Sequence, residues 1–344
     1  MTAVTDRQTA DLAALADLCT PWCVHVVATL RIADLIAAGA ADVTDLAARA
    51  GCDAGSLDRV LRHLVSKGVF EQVAPGTFGL NEAAEGLRGP LPGYDLDGIG
   101  GRMAQAWGSL LGAVRTGEPA YQQVFGRPFW ADLDAHPGIA ASFDELMGVA
   151  GHGRPDPAVL VSDDWAQVRW VVDVGGGTGA MLAEILRARP GIRGTLLDLP
   201  GQVARSGEVF RSAGVAERVT AAGQSFFDPL PAGADLYLLK NVLADWPDRE
   251  ATAILTRCAA AARPAGRVVV LGGISPGEDG QAAPALLMMV LVGGKDRSLA
   301  EFAGLAGQAG LEVTAAGQQP SGRFVVECRP AGAPGRPSVQ VGAA

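Results

Sequence analysis

Trp170-Val171-Val172-Asp173-Val174-Gly175-Gly176-Gly177-Thr178-Gly179 passes from an apolar run into a glycine-rich turn, and the stretch Ala180 to Ala188 behind it has a helical pattern. A short apolar run bounded by glycines reads as a buried strand. Glycines at its end let the backbone turn tightly and approach a ligand closely. The spacing is GxGxG, with Ala180 where the strict dinucleotide fingerprint ends in glycine, so only the looser form is met. Asp198 closes the next apolar run, Thr195-Leu196-Leu197, about 20 residues on, where an acid holds ribose hydroxyls. Turn and acid together point to a cofactor that carries a nucleoside. Asp173, just ahead of the glycines, puts a negative side chain beside the turn, which suits a cationic ligand better than a pyrophosphate.

Further apolar runs follow at Leu236–Leu239, Val268–Leu271 and Phe324–Val326, with helical stretches at Arg249–Ala262 and Leu299–Ala309. Alternation of β and α with continuous apolar strands predicts an α/β fold around a parallel, doubly wound sheet over 168–330. Upstream, residues 11–38 carry apolar residues at near-helical spacing, and Pro21 marks a break between two helices. Thr44 is placed to cap a helix ending at Gly51, and Leu57, Val60, Leu61, Leu64 and Val65 share one face of another. A hairpin around Pro75-Gly76 completes a helix–turn–helix–hairpin order, a winged-helix pattern over 1–100 that serves either DNA binding or packing and dimerisation. Residues 101–167 read as a helical segment rich in aromatics, and 331–344 as a flexible tail.

The chain has 344 residues, 49% hydrophobic and 19% charged, with 28 Lys+Arg against 37 Asp+Glu and a net charge of −9. This is a globular composition, and its acidity without any long basic run argues against nucleic acid. No uninterrupted apolar run reaches the ~20 residues of a membrane span, and the N-terminus lacks a signal-peptide core. Five scattered cysteines fit a reducing cytoplasm. Cys19, Cys23 and His25 lie close in sequence, but a buried helical face of small residues accounts for them, and no metal is expected.

DVGGGTG (Asp173–Gly179), LLDLP ending at Pro200, GQSFFDPLP from Gly223, LKNVLADWPD from Leu239 and GGKDRS from Gly293 stand in this order. With these blocks the chain resembles, over nearly its whole length, the small-molecule S-adenosylmethionine-dependent O-methyltransferases of plant phenolic and actinobacterial antibiotic-tailoring type. The resemblance implies a Rossmann-like class I methyltransferase domain behind an N-terminal winged-helix dimerisation domain, and a homodimer. It places the cofactor's methionine end at Gly175, Gly177 and Gly179, beside Asp173. Its ribose falls at Asp198, next to Leu199, and its adenine at Ser225 and Phe226, with Lys240 and Trp246 bordering it. Trp107, Phe143, Met147, Met288 and Met289 are expected to line an adaptable apolar substrate pocket, with Arg297 for an anionic group.

The same blocks depart from the family at the catalytic positions. Ala244 stands where plant-like members carry a histidine base, Gly272 where an acid steadies that base, and Ala285 where a third acid often precedes the Leu/Met-rich helix. A methyl group accepts no proton. All four histidines (His25, His63, His136, His152) precede the cofactor domain, leaving His152 as the expected substitute base; Asp144 and Asp245 are weaker candidates, and Asp245 reads rather as a structural partner. Alignment of an acidic nucleophile without a base is the first reading of mechanism. A relative that keeps the cofactor but runs hydroxylation, decarboxylation or pericyclic chemistry is the second, and a winged-helix regulator the third.

Overall fold

A computed structural model describes residues 11–147, 155–161, 164–277, 286–319 and 321–333. They fall into two compact units, 11–105 with 136–147 and 106–135 with 155–333, so the segment read as one helical block from 101 to 167 is shared between them. His152, Ala285 and the tail beyond 333 lie outside the described residues.

The first unit runs through α1 (Leu12–Leu15), α2 (Cys19–Thr29), α3 (Ile32–Ala37), α4 (Val43–Ala50) and α5 (Ala54–Ser66) to an antiparallel hairpin, β1 (Glu71–Ala74) and β2 (Thr77–Gly79), then α6 (Glu82–Glu85). Helix, helix and hairpin thus stand in the order the pattern predicts. Leu46, Leu57, Leu61, Leu64, Phe70 and Phe78 are buried in its core. The cap of α4 is Asp42, not Thr44: its carboxylate accepts from the Thr44 and Asp45 amides (2.8 and 3.4 Å). A carboxylate at this end also opposes the helix dipole, an advantage a hydroxyl lacks. Pro21 sits within the first turn of α2, where its missing N–H costs nothing. The break falls earlier, at Asp17, whose carboxylate takes the Cys19 and Thr20 amides (2.8 and 3.2 Å). Leu12–Thr29 as a whole has the length and apolarity of a membrane-crossing helix. Here it is two helices, the second of which anchors Cys23, Val27 and Ala28 in the core.

Along the chain come α7 (Ile99–Ala106), a 3₁₀ turn (Trp107–Ser109), α8 (Leu110–Thr116), α9 (Tyr121–Phe125), α10 (Phe129–Ala135) and α11 (Pro137–Leu146). The second unit is built on β3 (Trp170–Val174), α12 (Ala180–Ala188), β4 (Arg193–Asp198), α13 (Pro200–Val203), α14 (Ser206–Ser212), β5 (Val219–Gly223), β6 (Leu236–Lys240), α15 (Asp248–Ala261) and β7 (Arg267–Leu271). Short β8 (Ile274–Ser275), α16 (Leu286–Val292), short β9 (Arg297–Ser298), α17 (Leu299–Gln308), β10 (Leu311–Gln318) and β11 (Phe324–Pro330) complete it.

Seven strands form one sheet in the order β10-β11-β7-β6-β3-β4-β5. The five from β5 to β7 are parallel, while β11 runs antiparallel to β7 and β10 antiparallel to β11. The wholly parallel sheet expected from sequence is therefore mixed, and two edge strands, β5 and β10, were not foreseen. Leu236, Tyr237, Leu238 and Leu239 are fully buried in β6 at the sheet's centre. A buried leucine contributes about 1.5–3 kcal/mol, so this core holds the strand ends rigidly. The strand order reverses between β3 and its neighbours β4 and β6, which opens the crevice where doubly wound sheets bind ligands.

Candidate cofactor and active site

The residues assigned to a cofactor come together at the carboxyl ends of consecutive parallel strands: Asp173 on β3, Asp198 on β4, Ser225 just past β5, Lys240 on β6. The glycine turn is pinned to β4. Gly175 donates its amide to the Leu197 carbonyl (2.8 Å), and Gly177 donates to Asp198 Oδ2 (2.8 Å), while the Leu199 amide takes Oδ1 (2.7 Å). Gly179 is left-handed (φ 82°) and opens α12. A Cβ there would strike the Phe210 ring, so both its backbone conformation and its surroundings demand glycine. Gly176, which sequence reasoning passed over, is needed for a different reason: a Cβ would come within 2.6 Å of the Asp173 carboxyl and of Leu196 Cδ1.

Asp173 is buried, and neither carboxylate oxygen has a hydrogen-bond partner among the described residues. Burial pushes its carboxyl up to about 7; Lys240 acts against this and Asp198 with it. Lys240 is half-buried and makes no ion pair or hydrogen bond among the described residues. Burial and the nearby Arg323 lower its ammonium to about 8. An orphaned acid and an unpaired base at adjacent strand ends are costly in the empty protein and suit a ligand with both a cationic and an anionic group. Beside them an apolar wall is assembled from Phe226, Phe227 and Trp246, with ring centroids 5.1–5.8 Å apart, Trp246 standing nearly perpendicular to both phenyl rings. Phe226 also borders Gly175, as a flat surface for a base requires. Ser225 Oγ accepts from the Phe227 amide (3.2 Å), which shapes this turn.

The turn Leu243–Asp245 carries the position of the family's base. Ala244 Cβ lies 2.6 Å from where Gly273 would place a Cβ, and a Cβ on Gly294 would strike the Ala244 carbonyl. Gly272 is left-handed (φ 80°), so an acid there would strain the backbone and displace the Asn241 side chain. Asp245 is partly buried, and its carboxyl has no hydrogen-bond partner among the described residues. Burial, with Asp296 nearby, pushes it up to about 7.

Arg297 does not face a ligand. Its side chain is 2% exposed, and the guanidinium donates to the carbonyls of Leu243 (2.8 Å) and Trp246 (2.8 Å) and to Asp248 Oδ1 (3.0 and 2.9 Å). Its donors are used inside the protein, so the expected anion contact is replaced by a brace on the 243–246 turn. Of the other substrate-lining residues, the 3₁₀ turn bearing Trp107 and the Leu243–Asp245 turn both pack on α16, which carries Met288 and Met289. Phe143 and Met147 lie at the end of α11 in the first unit.

Sheet order, glycine turn and paired acids define an α/β enzyme that binds a nucleoside cofactor at its switch point. The O-methyltransferase domain matches residues 107–312, and the O-methyltransferase dimerisation domain residues 14–87. The chain is 45% identical over 311 residues to the 2,7-dihydroxy-5-methyl-1-naphthoate 7-O-methyltransferase of Streptomyces carzinostaticus, spanning 89% of this chain and 93% of that protein. It is 40% identical over 309 residues to aclacinomycin 10-hydroxylase RdmB of Streptomyces purpurascens (86% and 82%). An O-methyltransferase (NcsB1) from neocarzinostatin biosynthesis, solved with S-adenosylmethionine and 2-hydroxy-5-methyl naphthoic acid, matches with a TM-score of 0.84 and 42% identity over 94% of this chain and 99% of its own. The chain belongs to the O-methyltransferase family, whose cofactor is S-adenosylmethionine.

The orphaned Asp173 predicts a pH-dependent affinity. A cationic ligand binds the ionised form, so the Kd for S-adenosylmethionine should fall as pH rises from about 6 to 8, approaching tenfold per unit at the acid end. The Asp173→Asn variant should lose this slope in calorimetric titrations. The sign for folding is opposite. An acid raised from 3.8 to about 7 holds its proton longer in the fold than in the unfolded chain, so the cofactor-free protein loses stability as pH rises from about 4 through about 7 and levels off above that.

Proposed function

We propose that this chain transfers a methyl group from S-adenosylmethionine to a hydroxyl of a small aromatic or polyketide-like natural product, by alignment and without the histidine base. The observation that carries the mechanism is the methyl side chain of Ala244, which accepts no proton and packs against Gly273. When bound, S-adenosylmethionine supplies an electrophilic methyl on a sulfonium. Gly175, Gly177 and Gly179 receive its methionine end, Asp173 and Lys240 balance the charges there, and Asp198 beside Leu199 takes the ribose. Ser225, Phe226 and Trp246 border the adenine. Trp107, Met288 and Met289 hold an apolar acceptor. Asp245, a neighbour of Ala244 with a carboxyl near neutrality, accepts the hydroxyl proton. Residues 1–100 pair two copies of the chain, using the exposed Leu12, Leu15, Leu18 and Trp22, and 168–330 carry the cofactor. Five free cysteines fit a cytoplasmic enzyme with neither membrane nor nucleic acid as partner.

The test is turnover with labelled S-adenosylmethionine and a panel of hydroxylated naphthoates and anthracyclines, read as S-adenosylhomocysteine formed with a methylated product. Asp245→Asn should lower kcat about 10- to 100-fold and remove the pH-rate limb near 7; an unchanged profile would overturn Asp245 as acceptor. A second reading, non-methylating chemistry with the cofactor as a fixed charge, has the hydroxylase relative at 40% identity in its favour. Product formed without S-adenosylhomocysteine would decide for it.

A further inference from the structure

Within the first unit, Cys19 and Cys23 sit one turn apart on α2, and α5 brings His63 against them. Their ligand atoms all lie within 4.8 Å of one another. The two sulfurs are 3.9 Å apart. A tetrahedral zinc with Zn–S bonds of about 2.3 Å holds two thiolates about 3.8 Å apart, so the pair is spaced as a zinc edge without rearrangement. Donors at i and i+4 on one helix, completed by a residue from another element, are a recurring way to hold such an ion. His25, the histidine nearest in sequence, is turned away: its Nδ1 donates to the Tyr94 carbonyl (2.8 Å).

The surroundings are those of a supported ligand. Thr20 Oγ1 donates to Asp17 Oδ2 (2.5 Å) and lies 2.8 Å from His63 Nε2, so a carboxylate orients the imidazole through a hydroxyl. Outer-shell hydrogen bonds of this kind fix the rings of metal-bound histidines. Asp17 is itself held by Lys67 (3.2 Å). Cys19 is exposed while Cys23 sits at the edge of the core, so the site has a solvent entry and one wall of protein.

We propose that Cys19, Cys23 and His63 bind one soft divalent ion, Zn²⁺, with water as the fourth ligand, tying α2 to α5. Two thiolates balance its charge, the imidazole stays neutral, and each thiol releases its proton to solvent on binding. The set belongs to the first unit and shares no residue with the cofactor set, so the proposal stands or falls independently of the methyl-transfer reading.

The full chain, reduced with a phosphine and freed of metal, is titrated with Co²⁺ and then Zn²⁺. One equivalent of Co²⁺ per chain should give a thiolate-to-cobalt band in the near ultraviolet and tetrahedral bands in the visible, displaced by Zn²⁺ with a Kd below about 1 µM. Cys19→Ser, at an exposed position, and His63→Gln should each abolish the bands, while Cys52→Ser should retain them. Zn²⁺ should raise the thermal midpoint of the wild type and leave that of Cys19→Ser unmoved. Absence of the bands in reduced protein, or their persistence in Cys19→Ser or His63→Gln, overturns the proposal.

Discussion

Asp198→Ala is expected to weaken S-adenosylmethionine binding by about 10²–10³-fold. The carboxylate is placed by two backbone amides, Gly177 at 2.8 Å and Leu199 at 2.7 Å, so it is held rigidly before any ligand arrives. Its ribose hydrogen bonds are therefore made without an ordering cost. Each charge-assisted bond is worth about 1.5–3 kcal/mol, so two amount to roughly 3–6 kcal/mol, the lower half of which corresponds to about 10²–10³-fold. The same substitution frees the Gly177 amide and loosens the turn that receives the methionine end, so part of the loss is disorganisation of the site. Asp198→Asn separates the two effects. Its single carbonyl can still hold one amide, but its NH₂ then faces the other, so it should fall between wild type and Ala. Calorimetry at pH 8, where Asp173 is ionised, gives the cleanest reading. A Kd within about threefold of wild type in Asp198→Ala would remove Asp198 from the cofactor site.

How far the site was legible depended on how locally each feature is encoded. Strands buried on both faces must be apolar throughout, which made Trp170–Val174 and Leu236–Leu239 readable. β5, Val219-Thr-Ala-Ala-Gly223, lies at the sheet's edge and is half-exposed, so small residues suffice and no apolar run marks it. β10 is the opposite edge, and its pairing with β11 shifts register between Val313 and Ala315, which breaks the alternation a reader would count. That Asp198 ends β4 beside the glycine turn was legible because the turn and the next strand end lie a fixed distance apart in this topology. His63 was not, because it lies 40 residues beyond Cys23, and only the packing of α5 on α2 brings it there. That Ala244 accepts no proton was plain from its side chain. That the Asn241 side chain stands against Gly272 was not, since the two lie on separate loops.

Arg297 is the clearest case of a charge whose role the chain alone misassigns, and Arg297→Ala provides the second large effect. The guanidinium reaches carbonyls 51 and 54 residues upstream and joins them to Asp248. Removing it leaves the Leu243 and Trp246 carbonyls short of a donor and opens a cavity in a site that is 2% exposed. Loss of one partner in a buried network costs about 3–5 kcal/mol. Asp248 keeps much of its solvent contact, its side chain being 49% exposed, so the carboxylate is rehydrated and the cost should lie near the lower end, about 3 kcal/mol. For a domain of this size that lowers the melting midpoint by roughly 6–12 °C. Activity should fall as well, through kcat, because Ala244, Asp245 and Trp246 all stand on the braced turn. Arg297→Lys can satisfy one or two acceptors but not the fork, and should recover only part of the midpoint. A substrate anchor would behave in the opposite way, raising KM about tenfold or more while leaving the midpoint unmoved. Thermal unfolding and steady-state kinetics on the same two variants therefore decide whether this arginine holds the turn or the ligand.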